Sequence, residues 1–209
     1  MTYTLYGRPR WGSAIVEAQL AWYGLPFRLE PVGDLLKDPS ARIALEKVNP
    51  LAQVPTLVLP DGTVMSESAA ITLLLAEITG QDSLVPGPKA AERAAFLRWL
   101  VFLVANVYPT FTYGDIPGRF VSVEQAQAPF LAAVEAYRER LWRQVETEAK
   151  GPWFLGTRFS ALDLYLGIMT MWSPRRPWFA RETPKIAAIV GRTEAQPALA
   201  DFWERNPPP

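Results

Sequence analysis

Residues 49–71 read NPLAQVPTLVLPDGTVMSESAAI, and this stretch restricts the fold more than any other. Thr56–Leu59 and Thr63–Met65 are short β-type runs joined by Pro60-Asp61-Gly62. Gly62 can take a positive φ without a Cβ penalty, so the two runs read as an antiparallel hairpin. A helix then begins on Ser-Glu-Ser and runs from about Glu67 to Thr79. Its start offers free backbone N–H groups and a partial positive charge beside two hydroxyls and a carboxylate. Taken alone, Ser66 is an N-cap and Glu67 a favourable charge in the first turn. The same groups are also suited to holding an anion.

The flanking segments extend this hairpin into a domain. Tyr3–Tyr6 is a β-type run. Ser13–Tyr23 is helical, with Ile15, Ala18 and Trp22 at helical spacing and Gly24-Leu25-Pro26 as its stop. Phe27–Val32 alternates like a strand, and Gly33–Asn49 is polar and irregular. The order is βαβ, a loop, then ββα. The first two strands should be parallel through a right-handed crossover, the last two antiparallel.

Gly80–Lys89 holds two Gly and two Pro and reads as a linker. Everything beyond it is helical. Ala90–Tyr113 is apolar, with a kink expected at Pro109. Val123–Ala149 is amphipathic, with Phe130, Val134, Tyr137, Leu141 and Val145 on one face. Ser160–Trp172 is apolar enough to be buried, and Ser160-x-x-Asp163 resembles a capping box. Pro184–Arg192 and Pro197–Arg205 are short helices with Pro near their starts. The expected organisation is an α/β domain over 1–79, a linker over 80–89 and an all-α helical bundle over 90–209.

Composition removes several chemistries. The 21 acidic and 21 basic residues balance, so nothing favours a nucleic acid. The chain has no Cys and no His. That excludes a disulfide, a protein thiol nucleophile, a Cys/His zinc site and an imidazole base. No Asp-x-Asp loop suggests another metal, and none is expected. The opening MTYTLYGRPR lacks an apolar segment, and the run Leu97–Val107, interrupted by Arg98, is short for a bilayer. A soluble, cytoplasmic protein without a membrane partner is expected.

Asn49-Pro50, Gln53-Val54-Pro55-Thr56-Leu57, Asp61-Gly62 and Glu67-Ser68-x-Ala70-Ile71 together resemble the signature of the bacterial-type cytosolic glutathione transferases. Ser160-Ala161-Leu162-Asp163 resembles the box in that family's helical domain. The resemblance spans nearly the whole chain. It implies a thioredoxin-like N-terminal domain, glutathione as co-substrate, a small apolar electrophile and a homodimer. Ala52 stands where the family usually has Gly, a harmless change if φ is negative there.

A glutathione site needs backbone pairing, an anion sink, a countercharge for the ammonium and a group that stabilises the thiolate. The resemblance assigns the first to extended Val54-Pro55, with a cis peptide, and adds the Gln53 side chain. Ser68 and the helix start suit the γ-glutamyl carboxylate, and Glu67 suits the ammonium. Lys37 is a candidate for the glycyl carboxylate, though an exposed Lys needs no such role. For the sulfur, Ser13 ranks first, then Tyr6, with Arg10 as an electrostatic helper. Ser13 aligns one residue beyond the catalytic Cys of beta-class enzymes, whose own position is Gly12 here. Tyr6 falls at the spacing of the alpha- and mu-class Tyr. As plain structure, Ser13 is a helix cap and Tyr6 a core aromatic. The electrophile pocket is expected from Tyr108, Phe111, Tyr113 and Trp172, with Trp11 across from them. Tyr108 falls where beta-class enzymes carry a His.

Three activities fit these residues: transfer of glutathione to an electrophilic carbon, glutathione-dependent peroxide or disulfide reduction without a protein thiol, and non-catalytic binding. Fold alone does not choose among them.

Overall fold

The computed structural model describes residues 2–208. Strands β1 (Tyr3–Gly7), β2 (Phe27–Pro31), β3 (Thr56–Val58) and β4 (Val64–Met65) form one sheet in the order β2-β1-β3-β4. β1 and β2 are parallel, connected through α1 (Ser13–Trp22). β3 is antiparallel to β1 and to β4. Leu5 on β1 faces Leu29 and Leu57 across its two neighbours, and Leu5 and Leu57 are fully buried. α3 (Ser68–Thr79) packs beside α1, which lies against β1. The N-terminal part is therefore thioredoxin-like.

A helix stands where an irregular loop is expected. The polar segment before Asn49 contains α2 (Pro39–Glu46). Only Leu45 of it is buried, so no apolar stripe announces it. Local chemistry starts it instead: Pro39 presets the first turn, and the Asp38 carboxylate accepts the Ser40 amide at 2.8 Å.

The C-terminal part is all helical. α4 (Arg93–Phe102) runs through a π-helical turn, Leu103–Val107, into α5 (Tyr108–Asp115). The wide turn directly precedes Pro109, which has no N–H for an ordinary i→i−4 ladder. The combined helix is 23 residues, long and apolar enough to cross a bilayer and longer than the sequence run suggested. Here Phe96, Trp99, Leu100, Leu103 and Val107 bury its apolar face in the core. α6 (Glu124–Glu148) buries Val134, Arg138, Leu141, Trp142 and Val145. Tyr137, expected on that face, is 39% exposed, and Arg138 points inward instead.

α7 (Ala161–Met169) is the axle of the molecule. All nine of its residues are buried, and it packs on α1, α4 and α9 (Pro184–Glu194). α8 (Arg176–Glu182), not anticipated, and α10 (Ala200–Arg205) complete the chain. The capping box at α7 forms as expected. The Asp163 carboxylate accepts Ser160 N–H at 2.8 Å, Ser160 O–H at 3.1 Å and Phe154 N–H at 2.8 Å.

Asp163→Ala would orphan three buried donors and should cost about 2–4 kcal/mol, read as a lowered denaturation midpoint. Burial pushes the Asp163 carboxyl up to about 6, against the pull of those donors. A carboxyl raised on folding favours the fold at low pH, so its contribution falls as pH rises from about 4 to 6. Asp163→Asn should flatten that part of the stability–pH curve.

Candidate functional site

A cleft of about 930 Å³ lies between the two parts. Its α/β wall begins with the loop before β3. Asn49 organises that loop, its Nδ2 donating to the Gln53 carbonyl at 3.2 Å and to Thr56 Oγ1 at 2.9 Å. Thr56 Oγ1 donates to the Gln53 carbonyl at 2.7 Å. The loop therefore closes on itself, and Gln53, Val54 and Pro55 line the cleft through a cis Val54–Pro55 peptide. Ala52 has φ +46°, not the harmless negative value, at a cost of about 1–2 kcal/mol for a side chain in that region.

Next to it stands the start of α3. Ser66, Glu67 and Ser68 all line the cleft. Glu67, rather than Ser66, occupies the N-cap position, at φ +64° and without a side-chain cap bond. The α3 start is braced from both parts of the molecule. Thr72 Oγ1 donates to the Ser68 carbonyl at 2.8 Å and accepts from Gln19 of α1 at 2.9 Å. The fully buried Tyr165 of α7 meets Thr72 Oγ1 at 3.4 Å. Burial pushes the Tyr165 phenol up to about 12, so it remains a neutral hydrogen-bonding group.

The third wall is the loop from Arg8 to Gly12. Arg10 sits at φ +64°, pinned through its N–H to Asn206 Oδ1 at 2.8 Å and through its carbonyl by Trp172 Nε1 at 2.7 Å. Facing it is an aromatic wall. Tyr108, Phe111 and Trp172 meet edge-to-face, with ring centres 4.9–6.3 Å apart. A Cβ on Gly12 would lie 2.0 Å from the Tyr108 hydroxyl oxygen and 2.9 Å from the Val54 carbonyl oxygen. The phenol of the helical part thus reaches over the start of α1, into the space a side chain at residue 12 would fill. That hydroxyl makes no hydrogen bond among the described residues. Burial, with lesser contributions from Tyr165, Asp115 and Glu67, holds its pKa well above the ordinary tyrosine range.

Among the described residues, the non-glycine positions at positive φ are Arg10, Ala52, Glu67 and Arg175, and all four line this cleft. Backbone strain gathered at one place marks a site held in shape by its surroundings.

Of the residues singled out by sequence, Gln53, Val54, Pro55, Glu67 and Ser68 meet on one wall. Arg10, Trp11, Tyr108, Phe111 and Trp172 meet on the others. Four do not join them. Ser13 is 2% exposed and turned back into the β1–α1 loop, where its hydroxyl accepts Arg8 N–H at 3.0 Å and donates to the Arg8 carbonyl at 3.2 Å. Tyr6 packs with Leu35, Leu45 and Ala52 behind the wall. Lys37 is exposed outside the lining, and Arg42 of α2 lines it instead. Tyr113 faces Phe120 at 4.9 Å near the surface.

Sequence reasoning also missed Arg138, which lines the cleft from α6. The available signal was its spacing: Arg138 lies four residues after Val134 and three before Leu141, on the buried face.

Residues 13–78 match the family profile described as glutathione S-transferase, N-terminal domain. Over 204 residues the chain is 36% identical to the uncharacterised GST-like protein YncG of Escherichia coli K12, covering 97% of both. It is similar in structure to a glutathione S-transferase of Methylobacterium radiotolerans in complex with glutathione sulfonate. That match has 28% identity and a TM-score of 0.75, covering 97% of this chain and 94% of the other. A glutathione transferase homologue from Sulfitobacter with bound glutathione shares the fold at TM-score 0.81 and 22% identity, covering 97% of each chain.

The crowding at Gly12 is testable by stability alone. Gly12→Ala should cost about 1–3 kcal/mol, because a methyl group is forced against the Tyr108 hydroxyl and the Val54 carbonyl. Adding Tyr108→Phe removes one of those clashes, so the two changes should be non-additive by about 1 kcal/mol in denaturant melts. Strict additivity would place the hydroxyl elsewhere.

Proposed function

The chain belongs to the glutathione S-transferase family, and from that premise we propose that it binds glutathione in the cleft as the thiolate and transfers it to an electrophile. One observation carries the reading: an extended loop edge, a free helix start and an unpartnered hydroxyl converge on a single cleft. The backbone of Val54 pairs with the tripeptide as an added strand, and Gln53 reaches it by side chain. The α3 start and Ser68 take the γ-glutamyl carboxylate, and Glu67 takes the ammonium. Arg42, in place of Lys37, suits the glycyl carboxylate. Residues 1–79 form the glutathione-holding half and 90–209 the electrophile-holding half, joined by 80–89. A homodimer belongs to the same reading, and sedimentation velocity measures it directly.

The sulfur falls to Tyr108 and the start of α1. Ser13 and Tyr6 are spent elsewhere, whereas Tyr108 presents a phenol that burial keeps protonated and able to donate. Arg10 adds positive charge at the loop. Lowering a thiol from about 8.5 by two units takes about 2.7 kcal/mol. A hydrogen bond to the thiolate plus a helix N-terminus supplies that order of energy. The thiolate sulfur then bonds to the electrophilic carbon, the leaving group departs with its bonding pair, and the thiol proton has already gone to solvent. The protein contributes position and electrostatics. Peroxide or disulfide reduction would draw on the same thiolate, so product analysis separates those activities from transfer, and absence of all turnover would favour the non-catalytic reading.

Glutathione should raise the melting temperature, as any ligand of the folded state does. In the complex, Tyr108→Phe should raise the pH midpoint of thiolate absorbance by about one unit, equivalent to about 1.4 kcal/mol. Ser13→Ala and Tyr6→Phe should leave that midpoint in place. A midpoint that moves with Ser13 and not with Tyr108 would return the role to Ser13.

A further inference from the structure

We infer that the helical side of the cleft takes an electrophile bearing an anionic group, a carboxylate in the first instance, and that Arg138 anchors it. This rests on the transferase reading and specifies its second substrate; it replaces the wholly apolar electrophile expected from sequence.

The key observation is a buried guanidinium with no carboxylate at ion-pair distance among the described residues. Arg138 is 5% exposed. Its Nε donates to Thr110 Oγ1 at 3.0 Å and its Nη2 to the Thr110 carbonyl at 3.0 Å. Its Cζ lies 4.9 Å from the centre of the Phe111 ring. These neutral contacts fix the plane of the group without neutralising it. Among the described residues Arg138 makes no ion pair, and its Nη1 makes no hydrogen bond. A desolvated charge left in this state is costly, and a guanidinium cannot escape the cost by losing its proton at neutral pH. The side chain lines the cleft, so a ligand can supply the missing partner.

With Arg138 included, the helical side of the cleft is lined by one more positive than negative side chain. Arg119 and Arg175 line the same side, neither in an ion pair among the described residues, against Asp115 and Glu135. Glu135, then Asp115 and Glu139, act on Arg138 from beyond ion-pair distance, and Glu139 is bridged to Arg143 at 3.2 Å. Burial raises the Asp115 carboxyl while Arg138 and Arg119 pull it down, so Asp115 acts on these arginines from a distance without an ion pair to either among the described residues. The carboxylates of glutathione are assigned to the α3 start and to Arg42, both on the α/β wall. Arg138, on α6, remains for the second substrate. Phe111, Tyr108 and Trp172 supply a surface for an aromatic or unsaturated body, with Arg138 at its polar end. An anionic group there would gain a charge-assisted hydrogen bond that a neutral ester cannot match.

The test is calorimetric binding of 3-nitrobenzoate and of its methyl ester to the wild-type protein saturated with glutathione. The acid should bind at least about tenfold tighter than the ester, and Arg138→Gln should abolish that preference while Arg138→Lys retains part of it. Kinetics with 4-chloro-3-nitrobenzoate and its methyl ester provide a second readout, each rate divided by its uncatalysed rate. In that reaction the sulfur displaces chloride, which leaves with the bonding pair. The preference should appear mainly in KM and be lost in Arg138→Gln. Equal binding of acid and ester by the wild type, or tighter binding of the ester, overturns the inference even if no variant folds. The two readings fail separately: if glutathione does not stabilise the protein, the transferase reading falls, and the acid–ester comparison on the unliganded protein still decides the anion site.

Discussion

The carboxylate of Glu17 ties the two halves of the molecule into one site. It projects from the middle of α1 and is 3% exposed. Arg205 Nε reaches it at 2.8 Å and Asn206 Nδ2 at 3.0 Å, both from the far end of the chain. The same Asn206 accepts the Arg10 N–H through its Oδ1. One amide side chain therefore couples a buried charge in the first helix to the loop that lines the cleft. Because Arg10 has φ +64°, the loop needs such external support. The C-terminal helix and Trp172 provide it, so the α/β half does not shape this wall alone.

The same dependence runs through the other walls. The α3 start is braced by Gln19 of α1 and Tyr165 of α7 through Thr72. Tyr108 is set at the cleft by a helix whose regular ladder is interrupted just before Pro109. Its hydroxyl reaches over Gly12, so the absence of a side chain at residue 12 and the presence of the phenol form one arrangement. A chain without Cys or His has few ways to hold a thiolate, and a neutral phenol beside a helix start is one of them.

Much of this was legible in sequence. Strand alternation, the Pro-Asp-Gly turn and the helix stop at Gly24-Leu25-Pro26 marked the α/β elements because each depends on local periodicity or turn chemistry. The wall from Gln53 to Ser68 was legible because a contiguous motif carries it. What escaped depended on contacts between distant segments. α2 has too small a buried face to show periodicity. Tyr137 and Arg138 are adjacent on a long helix, and apolar character alone picked the wrong one to face inward. Ser13 had the right position in sequence, but its hydroxyl is turned back to the backbone of Arg8.

The sequence by itself determined the order of the four strands and of the helices that carry an apolar stripe or clear caps, the two-part architecture, the family signature and the exclusion of protein-thiol, imidazole and Cys/His-zinc chemistry. These follow from residue type, spacing and composition, which do not depend on how the chain is packed. Only the tertiary structure decided which side chains face the cleft. It turned Ser13, Tyr6, Lys37 and Tyr113 away, brought Tyr108 to Gly12, and left Arg138 buried with no carboxylate at ion-pair distance among the described residues. The reason is directional: helical spacing narrows which face a residue lies on, but packing against elements far away in the chain decides which side chain turns into the cleft.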